Sequence, residues 1–168
     1  MTGKTMRKQI LVVVMAVATL FGAQAGAGDW NKGVAAFDAG DFETAYVEFS
    51  DFAEQGYAGA QYGLGFMYFS GNGVTQNYTE AVKWFTLAAK QGNAGAQYGL
   101  GAMYYDGNGV VQNYVLAHVW LNLAVANGVV AATAARDVAA QKMTQADIVT
   151  AQRMASECMA SNYENCGY

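Results

Sequence analysis

Apolar residues recur along this chain at intervals of three and four, the spacing that gathers side chains on one face of an α-helix. Ala60, Leu64, Met67 and Tyr68 form one such stripe, and Ala81, Trp84, Leu87 and Ala88 form the next. Between the stripes lies the turn sequence Gly71-Asn72-Gly73-Val74. Asn77 then stands as an N-cap, with Glu80 three residues later, and Gly92 closes the second stripe as a C-cap. The predicted unit is helix, loop, helix. A second unit follows with the same residues: Ala96, Leu100, Met103 and Tyr104, then Gly107-Asn108-Gly109-Val110, then Asn113, Ala117, Trp120, Leu123 and Ala124. Aligned over residues 58–93 and 94–129, the two stretches are identical at 22 of 36 positions. A tandem period of this length marks a stacked repeat architecture.

Gly63 and Gly65, with Gly99 and Gly101 in the second copy, fall inside helices. There each costs up to about 1 kcal/mol relative to alanine, which makes sense where backbones approach closely. Ala81 and Ala88 are the expected opposite side of that contact, with Trp84 filling the space between helices. Gly71 and Gly73 suit positive φ in the loop.

The flanks read as incomplete units. Residues 28–57 form a degenerate N-terminal pair: a short helix from Trp30 to Ala39, a Gly40-Asp41 turn with Asp41 capping, and an amphipathic helix through Phe42, Ala45, Phe49, Phe52 and Ala53. Residues 130–168 form C-terminal capping helices. Residues 131–142 read as one, and Thr144 with Asp147 makes a capping box for another ending near Met159. The expectation is an all-α chain of about eight helices, the last pair sealing the open end of the stack.

Composition supports this. The 168 residues are 54% hydrophobic and 13% charged and include no proline, which suits helices throughout. The N-terminus reads differently. Lys4, Arg7 and Lys8 precede an apolar run over residues 10–20, followed by small-x-small patterns ending at Ala25 and Ala27. This is the pattern of a secretory signal peptide, residues 1–25, cut after Ala25 or Ala27. The run is shorter than the roughly 18–20 residues of a membrane span, so no stable membrane insertion is expected after cleavage. No cysteine follows it to carry a lipid anchor.

Without those residues the chain holds 6 Lys and Arg against 13 Asp and Glu, a net charge of −7. Nucleic acid and anionic membrane both demand basic patches, so neither is an expected partner. The acidity is uneven: residues 29–57 hold seven carboxylates and Lys32 alone as a cation. These charges read as a solvated end of the molecule or as a docking face for a basic partner.

Cys158 and Cys166 are the only cysteines. In an exported chain an even count reads as a disulfide. Eight residues apart is too close for a bridge along a straight helix, but suits a helix that ends near Met159 and turns back through Ser161-Asn162. Such a loop stabilises by roughly 2–3 kcal/mol. Two thiols without a nearby histidine do not make a four-ligand metal site, and no cofactor is expected.

Catalysis finds little support. The single histidine, His118, stands where the first copy has Val82 and reads as a helix-surface or inter-repeat packing residue. No serine sits in a Gly-x-Ser-x-Gly turn. Asp38, Asp41 and Glu43 surround a turn and read as caps and solvated charges. The Gly-x-Gly loop follows a helix and lacks both a third glycine and a lysine, so it is no phosphate cradle.

A binding surface has more. With Ala60, Leu64 and Tyr68 facing the core, Tyr62, Phe66 and Phe69 fall on the far side, and the second copy places Tyr98, Ala102 and Tyr105 there. Helices apolar all round must contact something on both faces. These aromatics either pack on adjacent repeats or line a groove that takes a peptide. The groove candidates are Tyr62, Phe66, Phe69, Tyr98 and Tyr105.

The motif Ala60, Leu64, Gly65, Met67, Tyr68, Gly71, Gly73, Val74, then Ala81, Trp84, Ala88, Ala89 and Gly92, resembles the Sel-one-like repeat family, relatives of the tetratricopeptide repeat. The second copy matches at Ala96, Leu100, Gly101, Met103, Tyr104, Gly107, Gly109, Val110, Ala117, Trp120, Ala124 and Gly128, and departs at Val125. Asn77 and Asn113 stand where the family often has an acidic residue. The C-terminal segment resembles the tail of exported bacterial members. The resemblance implies a short right-handed α-solenoid of antiparallel helix pairs, with first helices lining a concave surface. It implies a non-catalytic, exported scaffold, periplasmic or secreted, with a protein or peptide partner. An envelope role, in which the aromatic face binds peptidoglycan or another polysaccharide, is the alternative. An enzyme is a remote one.

Overall fold

The computed structural model describes residues 29–164 and 166. The expected signal peptide and both cleavage points lie outside the described residues. Among those residues there are eight α-helices and no strand: α1 (Trp30–Ala39), α2 (Phe42–Glu54), α3 (Ala58–Ser70), α4 (Tyr78–Ala89), α5 (Ala94–Asp106), α6 (Tyr114–Ala126), α7 (Ala131–Ala140) and α8 (Gln145–Ala160).

Local chemistry sets where these helices start. The orphan N–H groups of a first turn need acceptors, and short polar side chains supply them. Asp41 accepts from the Thr44 amide at 3.2 Å. Asn77 accepts from Glu80 at 3.1 Å, and Asn113 from Leu116 at 3.0 Å. Thr144 and Asp147 close a reciprocal capping box at the head of α8. Helix α4 ends at Ala89, and Gly92 turns the chain at φ 79°.

Each helix from α1 to α6 packs on the next, so the stack is a helical repeat solenoid. One cluster, including Ala45, Phe49, Leu64 and Met67, joins α1 to α3; a larger one, including Phe85, Leu100, Trp120 and Leu123, joins α4, α5, α6 and α8. The connecting loops wedge against the preceding unit. A Cβ on Gly109 (φ 71°) would lie 2.5 Å from the Tyr78 carbonyl, and one on Gly73 would lie 2.7 Å from Cβ of Phe42. Glycine is needed here for contact as well as for conformation.

Four points differ from the sequence reading. The helical glycines do approach other elements closely, but they receive large side chains of the second helices: phenylalanine rings at Gly63, Gly65 and Gly99, and Leu121 at Gly101, where the Ala117 carbonyl would also lie 3.3 Å from a Cβ. A Cβ on Gly63 would meet Phe49 at 2.9 Å, one on Gly65 would meet Phe85 at 2.5 Å, and one on Gly99 would meet the other edge of Phe85 at 3.0 Å. Second, Phe85 rather than Trp84 fills the space between helices. Trp84 is half-buried with Lys83 over its ring, and Leu87, expected on the packed stripe, is exposed. Trp120, the twin of Trp84, is buried in the cluster that α8 completes with Ala151, Ala155 and Cys158. Third, α7 and α8 do not pair with each other. Both dock on α6, α7 through Ala132 and Ala139, and α8 through its small residues.

The fourth is a polar ladder between units, built on the buried Gln61 and Gln97. Gln61 donates to the Ala53 carbonyl at the end of α2, and Gln91 donates to Gln61 at 2.8 Å. One repeat on, Gln97 donates to the Ala89 carbonyl, and Asn127 donates to Gln97 at 2.8 Å. Both carbonyls also accept from the glycine amide that ends the turn, Gly56 or Gly92, so each rung fills the second lone pair of a helix-terminal oxygen. The last rung meets the C-terminus. Cys158 and Cys166 are bonded, with Cα atoms 4.4 Å apart. Tyr163 of that loop lies over Gly92, and its hydroxyl donates to and accepts from the Asn127 side chain at 3.2 and 2.9 Å.

Candidate binding groove

An aromatic groove runs across the exposed side of α1, α3 and α5. Its first cavity, about 300 Å³, opens between α1 and α3. Trp30, Val34 and Phe37, a 3–4-spaced stripe of α1, form one wall. Tyr62 and Phe66 of α3 form the other, and Phe49 of α2 is the buried floor, beneath Gly63. The second cavity, about 180 Å³, opens between α3 and α5. Tyr62, Phe66 and Phe69 wall it on one side, Tyr98 and Ala102 on the other, and Phe85 is its floor beside Gly95 and Gly99. The cavities share Tyr62 and Phe66, so they adjoin across α3.

The repeat builds this shape. Phe49 and Phe85 are 36 residues apart and lie under Gly63 and Gly99, also 36 apart. Omitting Cβ on the first helices lets buried rings of the second helices pack close against them and floor the space between. Tyr62 leans on the Phe85 ring with centroids 5.9 Å apart, and Phe37 meets Phe66 edge-on at 5.9 Å. Trp30 and Tyr98 are the most open rings lining these two cavities, 38% and 37% exposed. Trp30 also borders a third cavity of about 320 Å³ shared with Phe52 and Tyr57.

Tyr62, Phe66, Phe69 and Tyr98 therefore come together in one groove. Tyr105 lines neither of its two cavities; it packs toward α6 and α7, its ring 5.4 Å from Tyr114. The sequence reading did not include Trp30, Val34, Phe37, Phe49 or Phe85. Their signals were present, in the i, i+4, i+7 spacing on α1 and in the 36-residue separation of the two phenylalanines.

Helix α3 carries no charged residue, and α5 carries only Asp106. The charges gather at the α1–α2 end. Lys32 is held by Glu48, which also accepts from the Asp29 amide at 2.7 Å. The Lys32 contact, then the Asp29 amide, hold the Glu48 carboxyl below its usual range, and Glu48 raises Lys32 in return. Asp41 is lowered by its bonds to Thr44. Asp38, Glu43, Asp51 and Glu54 enter no ion pair among the described residues.

His118 lies outside the groove. It is buried in α6, with Nδ1 3.2 Å from the Asn122 amide nitrogen. Burial, then the nearby Arg136 charge, push its pKa below the ordinary value. Among the described residues no group of three His, Cys, Asp or Glu is placed to hold a metal, and no helix is long and apolar enough to cross a membrane.

Comparison with known proteins agrees with this architecture. The model of the Sel1 repeat matches residues 58–93 and again 94–129. The structure resembles c5321, a protective antigen of uropathogenic Escherichia coli displaying an SLR fold: TM-score 0.74, 28% identity, 79% of this chain and 30% of that one. It also resembles a Sel1 repeat protein from Oxalobacter formigenes: TM-score 0.57, 32% identity, 68% of this chain and 49% of that one. The chain thus spans less than half the length of either relative. No curated protein matches it. Two tandem Sel1 repeats within an eight-helix solenoid make this chain a Sel1-like repeat protein.

Proposed function

We propose that this chain is an exported, non-catalytic scaffold that holds a segment of another protein in the α1–α3–α5 groove. The observation that carries the reading is the adjacency of the two apolar cavities on either side of Tyr62 and Phe66. An aromatic cleft with recessed floors takes anchor side chains, the contacts that dominate protein interfaces. Sel1 repeats are interaction scaffolds in general, and solenoids present extended concave surfaces. The sole histidine is buried against Asn122, outside the groove, which leaves the cleft without a general base of that kind. Export is supported by the signal-like N-terminus and by the Cys158–Cys166 bond.

The test is capture by the purified chain, residues 26–168, from periplasmic extract, run beside sedimentation with purified cell wall. Trp30→Ala and Tyr98→Ala truncate the two most open rings of these two cavities. Loss of a specific protein partner with both variants, with helical circular dichroism retained, supports the reading. Sedimentation with cell wall that survives extraction of all protein overturns it in favour of a polysaccharide ligand.

A further inference from the structure

We infer that the groove's partner is an extended peptide with two bulky apolar anchors and basic residues beyond the anchor seated between α1 and α3. This rests on the groove reading above and specifies its ligand.

Three observations lead there. The first is spacing. A helix with its side chains is about 10 Å across, and one cavity opens on either side of α3. An extended chain covers that distance in three residues at about 3.1–3.4 Å each. In polyproline II, residues three apart also share a face. Anchors at positions i and i+3 then reach both cavities.

The second is the chemistry of the lining. The first cavity is walled by Val34, Phe37 and Phe66 and floored by Phe49, and among its lining side chains only Trp30 and Tyr62 bring a polar atom. A sugar chain would bury hydroxyls there without partners, at about 1–3 kcal/mol each. An apolar side chain loses nothing of the kind.

The third is charge. Residues 29–57 hold seven carboxylates and one lysine, and that lysine is occupied by Glu48. Asp38 is exposed, and it follows two wall residues of the first cavity, Phe37 directly and Val34 by one helical turn. Asp51 and Glu54 flank Phe52, which borders the cavity beyond Trp30. Past α3 the groove wall is uncharged up to Asp106. The field is therefore one-sided, which orients a charged peptide and speeds its association. A second copy of this chain is disfavoured, because it would bring the same acidic unit.

The experiment uses the chain of residues 26–168 and fluorescein-labelled peptides read by anisotropy. Each peptide carries two leucines three residues apart in a serine background, ending in two lysines, two serines or two glutamates. The lysine peptide is expected to bind about tenfold more tightly than the serine peptide and to lose that advantage at high salt. Asp38→Asn with Asp51→Asn is expected to remove the advantage, while Tyr98→Ala weakens all three peptides. Equal binding of the three overturns the charge assignment and leaves the groove reading standing. No binding by any peptide, with cell-wall oligosaccharide bound instead, overturns both. Lysine-peptide binding unchanged by Trp30→Ala and Tyr98→Ala places the ligand on the acidic surface alone and overturns the inference. So does self-association of the chain that excludes peptide.

Discussion

Gly65 shows how tightly single positions are set. Its missing Cβ leaves space for the Phe85 ring, whose Cδ1 would stand 2.5 Å from any methyl there. Phe85 is also the floor of the second cavity and supports Tyr62. Gly65→Ala is therefore expected to cost about 1–3 kcal/mol by overpacking, lowering the thermal midpoint by several degrees. An unchanged midpoint in calorimetry would show that Phe85 can yield.

His118 makes a different single-residue prediction. Burial and Arg136 favour its neutral form, partly offset by Asp137. A base whose native pKa is depressed adds stability above its ordinary value of 6.5 and loses it as pH falls toward the native value. Urea midpoints should therefore drop between about pH 7.5 and 5.5, before carboxylates titrate. In His118→Gln that drop should be absent; a drop of equal size in the variant would assign it elsewhere.

At the scale of elements, the inter-repeat ladder is the part most open to mutation. Gln97 is fully buried and bonds the Ala89 carbonyl and the Asn127 amide together. Gln97→Leu removes one bond from each in a buried setting, together about 1–3 kcal/mol. Gln91→Ala, on an exposed residue, should cost no more than about 1 kcal/mol. Chemical denaturation of the two variants measures the contrast, and equal losses would count against a stabilising ladder.

The ladder also marks where sequence reasoning stops. Caps such as Asn77, Asn113 and Thr144 bond within three residues of themselves, so their partners could be read from neighbouring letters. The stripes Ala60-Leu64-Met67 and Ala96-Leu100-Met103 are equally local and are buried. Gln61 and Gln97 reach the end of the preceding helix, and nothing local distinguishes a buried glutamine from a solvated one. The groove was half legible for the same reason. Periodicity gives the direction of Tyr105 from its own helix axis. It does not say that Tyr105 packs into the cluster that α6 and α7 build, whereas Phe69, its equivalent one repeat earlier, faces an open cavity. That α7 and α8 dock separately on α6 depends on small residues distant in sequence, Ala132 and Ala139 against Ala151 and Ala155.

For the whole molecule, stability is largely a sum over neighbours, because most packing is between successive helices. Ends of such stacks fray unless capped. The N-terminal end is held by Asp29, Lys32 and Glu48, which tie the start of α1 to α2. At the other end, the Cys158–Cys166 loop carries Tyr163 back to Gly92 and Asn127, spanning the junction of both full repeats. Opening that loop should act locally rather than uniformly. Replacing both cysteines by alanine is expected to cost about 2–3 kcal/mol. Amide exchange should then accelerate in α6 and α8, which share the cluster containing both cysteines, while α1 and α2 keep their protection. Tyr163→Phe separates the contributions: it keeps the covalent loop and removes only the Asn127 bonds, so its effect should be the smaller and centred on the α4–α5 and α6–α7 turns. Uniform acceleration along the chain in the alanine variant would mean the solenoid unfolds as one unit, with the loop closing a single cooperative fold instead of one end.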